Sequence, residues 1–159
     1  MRLAEESVTG NRVYLATCEP LDDEMKARVK RHQDERDSSW TTAEIPVDIE
    51  GGIESLSSFA ELILVDCLTL WVTNMLLRDL EEREIMERTD ALIKAVSRLH
   101  QPVIFVANEV GAGIVPDNEL ARRFRDMAGF VNQKIAASAD EVILMVAGIP
   151  VRIKPTGKE

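Results

Sequence analysis

Short apolar runs rich in β-branched residues alternate along this chain with longer segments of helical period, and that alternation constrains the fold more than any other feature. Strands joined through helices lie parallel, because a parallel pair needs a crossover connection. The pattern therefore predicts an α/β domain with a mainly parallel sheet flanked by helices. Strands are expected at Val13–Ala16, Trp40–Ile45, Leu62–Asp66 and Pro102–Ala107, the third being the strongest buried-strand signal. Val142–Val146 and Val151–Ile153, separated by Gly148-Ile149-Pro150, are expected to close the chain as a hairpin.

Between these runs the helical signals are of different kinds. Arg2–Thr9 reads as a short helix, and Pro46 and Gly51-Gly52 mark loops around a weak one that reaches Ala60. Asp22–Asp34 opens on Asp22 as N-cap, with Asp23 and Glu24 in its first turn and Lys26, Arg28, Lys30 and Arg31 toward its end. That charge order matches the helix dipole at both termini. Leu68–Leu77 is apolar nearly all round, which predicts a helix buried on two sides, against its own sheet and a second subunit. Glu84–Leu99 sets Ile85, Leu92, Val96 and Leu99 on one stripe. Asn118–Ala139 repeats Leu120, Phe124, Met127, Val131 and Ile135 every three or four residues. Gly129 inside that helix costs about 1 kcal/mol relative to alanine, so a close packing partner is expected there. Only Pro155–Glu159 reads as a loose tail.

Composition narrows the function classes. Acidic side chains number 28 against 19 basic ones, a net charge of −9 with no long basic tract, so nucleic acid is not an expected partner. The longest apolar stretches, Leu62–Val65, Val103–Ala107 and Val142–Ala147, fall far short of the roughly twenty residues that cross a bilayer, so no membrane insertion is expected. Met1–Glu6 carries acids and no apolar segment of a secretory signal. Cys18 and Cys67 end strand-like runs and read as two small buried thiols in a reducing cytosol, which predicts a cytoplasmic protein.

Few features carry chemistry on their own. Asp66 stands where a parallel strand ends, the place at which P-loop enzymes hold Mg²⁺ near phosphates, although strand-terminal acids also cap the next helix. His32 lies near the end of its helix with Arg28 four residues before it, Arg36 four after, and Lys30 and Arg31 just ahead. Such cations favour the neutral imidazole that a nucleophile requires and attract the phosphate it would attack. Taken alone, a solvated histidine on a charged helix is the commoner reading. His100 reads as structural. Glu109–Pro116, with Gly111 and Gly113, is a candidate phosphate-binding turn without a dinucleotide fingerprint. Arg122, Arg123 and Arg125 are read first as a solvated face, then as neutralising an anionic ligand or pairing across a subunit boundary. No metal-ligand Cys/His spacing, Gly-x-Ser-x-Gly elbow or Gly-x-x-x-x-Gly-Lys-Ser/Thr loop occurs.

Taken together, the motifs are more specific. Ala16-Thr17, Leu21-Asp22-Asp23-Glu24-Met25, Arg28 with His32, Trp40-Thr41-Thr42-Ala43-Glu44, Val65-Asp66-Cys67-Leu68-Thr69 and Val72-Thr73-Asn74 come in a fixed order. Asn108-Glu109-Val110-Gly111, Ile114-Val115-Pro116, Arg125-Asp126 and Val131-Asn132-Gln133 continue it. On these residues, from Arg2 to about Lys154, the chain resembles the bifunctional adenosylcobinamide kinases and adenosylcobinamide-phosphate guanylyltransferases of cobalamin biosynthesis.

The resemblance implies a P-loop NTPase fold of the RecA type, a single nucleotide-binding domain over residues 1–154, and a homotrimer with nucleotide sites near subunit boundaries. It implies phosphorylation of adenosylcobinamide by GTP or ATP, then transfer of GMP from GTP to that phosphate through a GMP-histidine intermediate. His32 matches the nucleophile. Thr17, Cys18 and Glu19 match a loop that touches nucleotide, and Gln33, Asp34, Glu35 and Arg36 match the segment that contacts GTP after the histidine. Glu44 and Asp66 match two acidic nucleotide-binding positions, Asp66 being the expected Mg²⁺ ligand or, alternatively, a guanine contact. Family members open with a strand and a Gly-rich loop ending in Gly-Lys-Ser before Arg-x-Ala-Glu, whereas Arg2-Leu3-Ala4-Glu5 here follows Met1. The fold is therefore expected with its first strand and P-loop absent. A non-catalytic remnant that keeps the oligomer but has lost GTP turnover is the alternative to an enzyme.

Overall fold

Four of the apolar runs become one parallel sheet. The computed structural model describes residues 1–20 and 22–155, so the expected tail beyond Pro155 lies outside the described residues. In chain order the elements are α1 (Arg2–Ser7), β1 (Arg12–Ala16), α2 (Asp23–Asp34), β2 (Trp40–Glu44), α3 (Ile49–Leu56), β3 (Leu62–Asp66) and α4 (Leu68–Leu76). They are followed by α5 (Glu82–Val96), β4 (Val103–Val106), α6 (Glu119–Ser138), β5 (Val142–Val146) and β6 (Ile149–Lys154). The sheet order is β2-β1-β3-β4 with every pairing parallel, while β5 and β6 form a separate antiparallel pair. The α/β architecture is the one that the alternation of strand and helix signals predicts.

Alternation along the strands divides the sheet into two unequal faces. Val13, Leu15, Ile63 and Val65 pack into the larger core with side chains from α3, α4, α5 and α6. Tyr14, Trp40, Leu62 and Leu64 form a smaller cluster with Ala4 of α1. Arg12 ties that thin cover down, donating to the Val8 carbonyl at 2.5 Å and the Ser39 hydroxyl at 2.5 Å while lying over the Trp40 ring. The thin face leaves the carboxyl edge of the sheet open.

Several local expectations change. Leu68, Thr69, Trp71, Val72, Asn74, Met75 and Leu76 of α4 are buried within this one chain, so its apolar surface needs no second subunit to cover it. Glu81 and Glu84 form a capping box that starts α5 at Glu82, ahead of the expected Glu84. The hairpin turns on Ala147 and Gly148, both with positive φ (50° and 78°), so β6 already begins at Ile149. Leu120 is exposed, so the apolar stripe of α6 starts only at Phe124, and Val96 and Leu99 are half-buried. A Cβ added at Gly129 would meet nothing within 4 Å, which removes the packing partner expected there. Cys67 is buried and Cys18 half-buried, both as free thiols. No helix among the described residues is long and apolar enough to cross a membrane.

Candidate functional site

The strand register sets Glu44, Ala16, Asp66 and Val106 in one row across the carboxyl edge of the sheet. Ligands of open parallel sheets bind outside that edge. A cleft of about 290 Å³ opens there, lined by Met1, Tyr14, His32, Glu35, Arg36, Leu64, Asp66 and Val106. It combines an imidazole, a guanidinium, a phenol and two carboxylates with an apolar floor, a donor set suited to an anionic ligand with a flat organic part.

His32 reaches the cleft because β1 ends at this edge and α2 leaves it on a capped first turn, where the Asp22 carboxylate accepts from the Met25 N–H at 2.7 Å. The ring is exposed and, among the described residues, makes no hydrogen bond. Arg28, one turn earlier on the same helix face, is close enough to act electrostatically on Cys18. Lys30 turns away to Asp34 at 3.0 Å, whereas Arg28 and Arg31 form no ion pair among the described residues. The cations expected around the imidazole thus separate into Arg28, Arg31 and Arg36, which have no acidic partner among the described residues, and Lys30, which is already neutralised.

Arg36 and Asp66 are joined through one residue. The Arg36 guanidinium lies 3.9 Å from the centre of the Tyr14 ring and donates to the Thr42 hydroxyl at 3.0 Å. The Tyr14 hydroxyl donates to Oδ2 of Asp66. Burial and the Asp66 carboxylate raise the Tyr14 pKa well above the ordinary tyrosine value, so the phenol keeps its proton and remains a donor. No hydrogen bond to Oδ1 of Asp66 is made among the described residues, and Asp66 lines the cleft.

The remaining expected residues divide. Cys18 is half-buried beside this group, and burial, then Cys67 and Asp66, push its thiol up and keep it protonated. Gln33 reaches the Glu44 carboxylate at 3.4 Å, linking the end of α2 to the end of β2. Glu35 lines the cleft, while Asp34 is taken by Lys30. Thr17 is sealed in the interior: its hydroxyl donates to the Cys67 carbonyl and accepts the Cys67 N–H, both at 2.8 Å. Its N–H donates to the Asp66 carbonyl and its own carbonyl accepts the Asn74 amide. Glu19 accepts two hydrogen bonds from Arg78 at 2.8 and 2.9 Å, which hold its carboxyl below the usual glutamate range.

Other expectations change here as well. The three arginines of α6 are not a solvated face. Arg122 donates to the Pro116 and Asp117 carbonyls, Arg123 to the Leu80 carbonyl, and Arg125 to the Gly111 carbonyl. They hold the loop before their helix and the loop before α5. Within the glycine-bearing loop, the Gly111 N–H is already taken by the Glu109 carboxylate at 3.0 Å, an arrangement that opposes phosphate binding there. Two contributors, Tyr14 and Arg78, were not singled out from the sequence, and Asn74 entered only within a family motif. The signal for Tyr14 was its being the single tyrosine of the chain, a polar-tipped residue inside an apolar strand.

No group of three or more His, Cys, Asp or Glu side chains converges as a metal centre among the described residues. A divalent cation carried by a triphosphate needs only one or two protein carboxylates, so the Asp66 carboxylate lining the cleft fits that role.

Comparison with known proteins gives these residues a context. The family model described as cobinamide kinase / cobinamide phosphate guanyltransferase matches residues 1–153. The bifunctional adenosylcobalamin biosynthesis protein CobU of Salmonella typhimurium is 46% identical over 154 residues, covering 89% of this chain and 85% of the relative. The CobU protein of Escherichia coli K12 is 42% identical with the same coverage. The bifunctional protein CobP of Pseudomonas aeruginosa is 42% identical, covering 96% of this chain and 87% of its own length. With the family model spanning nearly the whole sequence, the chain belongs to the cobinamide kinase / cobinamide phosphate guanyltransferase family.

Proposed function

We propose that this protein transfers GMP from GTP to adenosylcobinamide phosphate through a covalent GMP adduct on His32, and that it carries the preceding adenosylcobinamide kinase step. The observation that carries the reading is the opening of His32, Arg36 and Asp66 onto one cleft at the carboxyl edge of the sheet. Membership of a family of enzymes weighs against the non-catalytic alternative.

An exposed imidazole that makes no hydrogen bond among the described residues is free to turn onto the α-phosphorus of GTP. Attack forms the P–N bond of the adduct as the bond to pyrophosphate breaks. In this reading Arg36, which lines the cleft, and Arg28, one turn before His32, offset charge gathering on the leaving pyrophosphate. A phosphate oxygen of adenosylcobinamide phosphate then attacks the same phosphorus, forming a P–O–P linkage and releasing the histidine. Two displacements thus replace one difficult encounter between anions. Asp66 would hold the divalent cation that accompanies the triphosphate, and Mg²⁺ supplies charge neutralisation when bound. Glu35 lines the cleft, and Glu44, Gln33 and Cys18 contribute to nucleotide binding from beside it in this reading. Thr17 and Glu19 contribute through the loop they anchor, and Asp34 through its hold on Lys30.

Residues 1–154 act in this reading as one nucleotide-binding unit in the cytoplasm, assembled as a homotrimer. Exposed apolar side chains on β5 and β6, including Met145, Val146, Ile149 and Ile153, together with Phe130 on α6, support assembly. The test uses GTP labelled in the α-phosphate. The wild-type chain should retain acid-labile label after denaturation and His32→Ala none; label kept by His32→Ala would contradict the assignment.

A further inference from the structure

We propose that Tyr14 is the positioning residue of this site: its ring carries the Arg36 guanidinium and its hydroxyl holds the Asp66 carboxylate, so one side chain sets the spacing of two groups that a nucleoside triphosphate bridges. The inference rests on the nucleotide reading above and goes beyond it by assigning a role to a residue outside the expected set.

The sheet makes this possible. Tyr14 lies opposite Thr42 on one side and Leu64 on the other, and Asp66 is two residues beyond Leu64 on the same face. From that position the phenol extends toward the carboxyl edge and meets the carboxylate diagonally across β1 and β3. Thr42 holds the guanidinium from the opposite strand, so Arg36 is clamped between a hydroxyl and a ring face. The Trp40 ring, 6.4 Å away and edge-on at 73°, stops the phenol from tilting off the line. Tyr14 itself is 9% exposed, which leaves its ring little freedom.

This arrangement has two consequences. First, donation to Oδ2 fixes the rotation of the Asp66 carboxylate and leaves Oδ1 to a ligand. Second, stacking keeps Arg36 from swinging across to neutralise Asp66, which would cost the site both a cation and an anion. Tyr14 need not touch the nucleotide for either effect. It acts through Arg36 and Asp66.

A double-mutant cycle tests this with a GTP analogue bearing an α,β-methylene bridge, which binds but cannot give up GMP. Tyr14→Phe should weaken its binding about tenfold, the size expected for losing a hydrogen bond to a charged group. In an Asp66→Ala background the same change should do nothing further. Tyr14→Leu should cost roughly another threefold through the lost stack, and that increment should vanish in Arg36→Ala. Arg36→Ala also tests the stack from the cleft side should Tyr14→Leu fail to fold. Losses that simply add, or a Tyr14→Phe chain that binds as wild type does, would overturn the positioning role. A wild-type chain that binds the analogue but never acquires label from GTP would sink the covalent role of His32 and leave this cycle decisive. Failure of the wild-type chain to bind the analogue would overturn both.

Discussion

Two helices leave the carboxyl edge of the same sheet, and they are built in opposite ways. The α4 helix follows β3, buries seven of its nine residues and opens on a buried thiol, Cys67, whose sulfur accepts the Leu70 N–H. By contrast α2 follows β1, buries none of its twelve residues and opens on an exposed aspartate. Burying a large apolar side chain is worth about 1.5–3 kcal/mol, so α4 draws heavily on the core whereas α2 depends on its cap, its charge order and a few tethers. Stability and chemistry are thereby separated. The polar side chains of α4 face the edge loops: Asn74 donates to the Thr17 and Pro46 carbonyls, and the Thr69 hydroxyl accepts the Asn108 N–H. One helix fixes the frame, and the other presents His32 to the cleft.

The comparison can be broken most directly at Trp71. Its side chain is fully buried and its indole N–H donates to the Val47 carbonyl at 2.7 Å. Trp71→Ala should lower unfolding free energy by roughly 3–5 kcal/mol in urea titration while leaving adduct formation per folded molecule intact. Equal loss of activity per folded molecule would merge the two roles. Asn74→Ala removes both amide donations and should cost about 1–3 kcal/mol. Because its bond to the Thr17 carbonyl holds the loop between β1 and α2, it should also slow adduct formation, a coupling that Trp71→Ala, whose indole reaches only the loop after β2, lacks.

Smaller effects sharpen the contrast. Removing the cap of α2 with Asp22→Ala should cost about 1 kcal/mol of local helix stability, read as faster amide exchange across Asp23–Asp34 with α4 unchanged. The smallest effect is expected at Glu19, whose ion pair with Arg78 joins the loop leading to α2 to the end of α4. Its folded carboxyl is held below the usual range, so the pair stabilises above the unfolded glutamate pKa and is lost as pH falls through the folded value. Glu19→Gln should therefore shift the urea midpoint slightly at pH 7 and not at all once Glu19 is protonated in both states. A shift that persists there would assign the effect to something other than the charge.

Much of the architecture was legible because burial imposes periodicity. The runs at Leu62–Asp66 and Leu68–Leu76 could only be buried, and Asp22 with its acidic first turn marked the start of α2. The candidate nucleophile was legible through its cationic surroundings together with the family motifs. What stayed hidden depends on partners far apart in the chain. The Tyr14–Asp66 bond spans 52 positions and the Glu19–Arg78 pair 59, and neither residue type announces its partner locally. Arg122 and Arg125 read as solvated because their acceptors are backbone carbonyls, which a sequence does not distinguish, and Arg123 because its partners, the Leu80 carbonyl and the Glu81 and Glu82 carboxylates, lie some forty positions away. Gly129 misled for the opposite reason: its cost in helix propensity is real, yet no neighbour approaches it.

In the proposed mechanism the nucleophile, His32, sits on the helix that buries nothing. Rapid quenching of the wild-type chain with α-labelled GTP, followed by digestion at neutral pH and peptide sequencing by mass spectrometry, tests it most directly. The account predicts a GMP increment on the peptide holding His32, stable to alkali and lost in acid. An increment found only on His100, on a lysine or on a cysteine would contradict it.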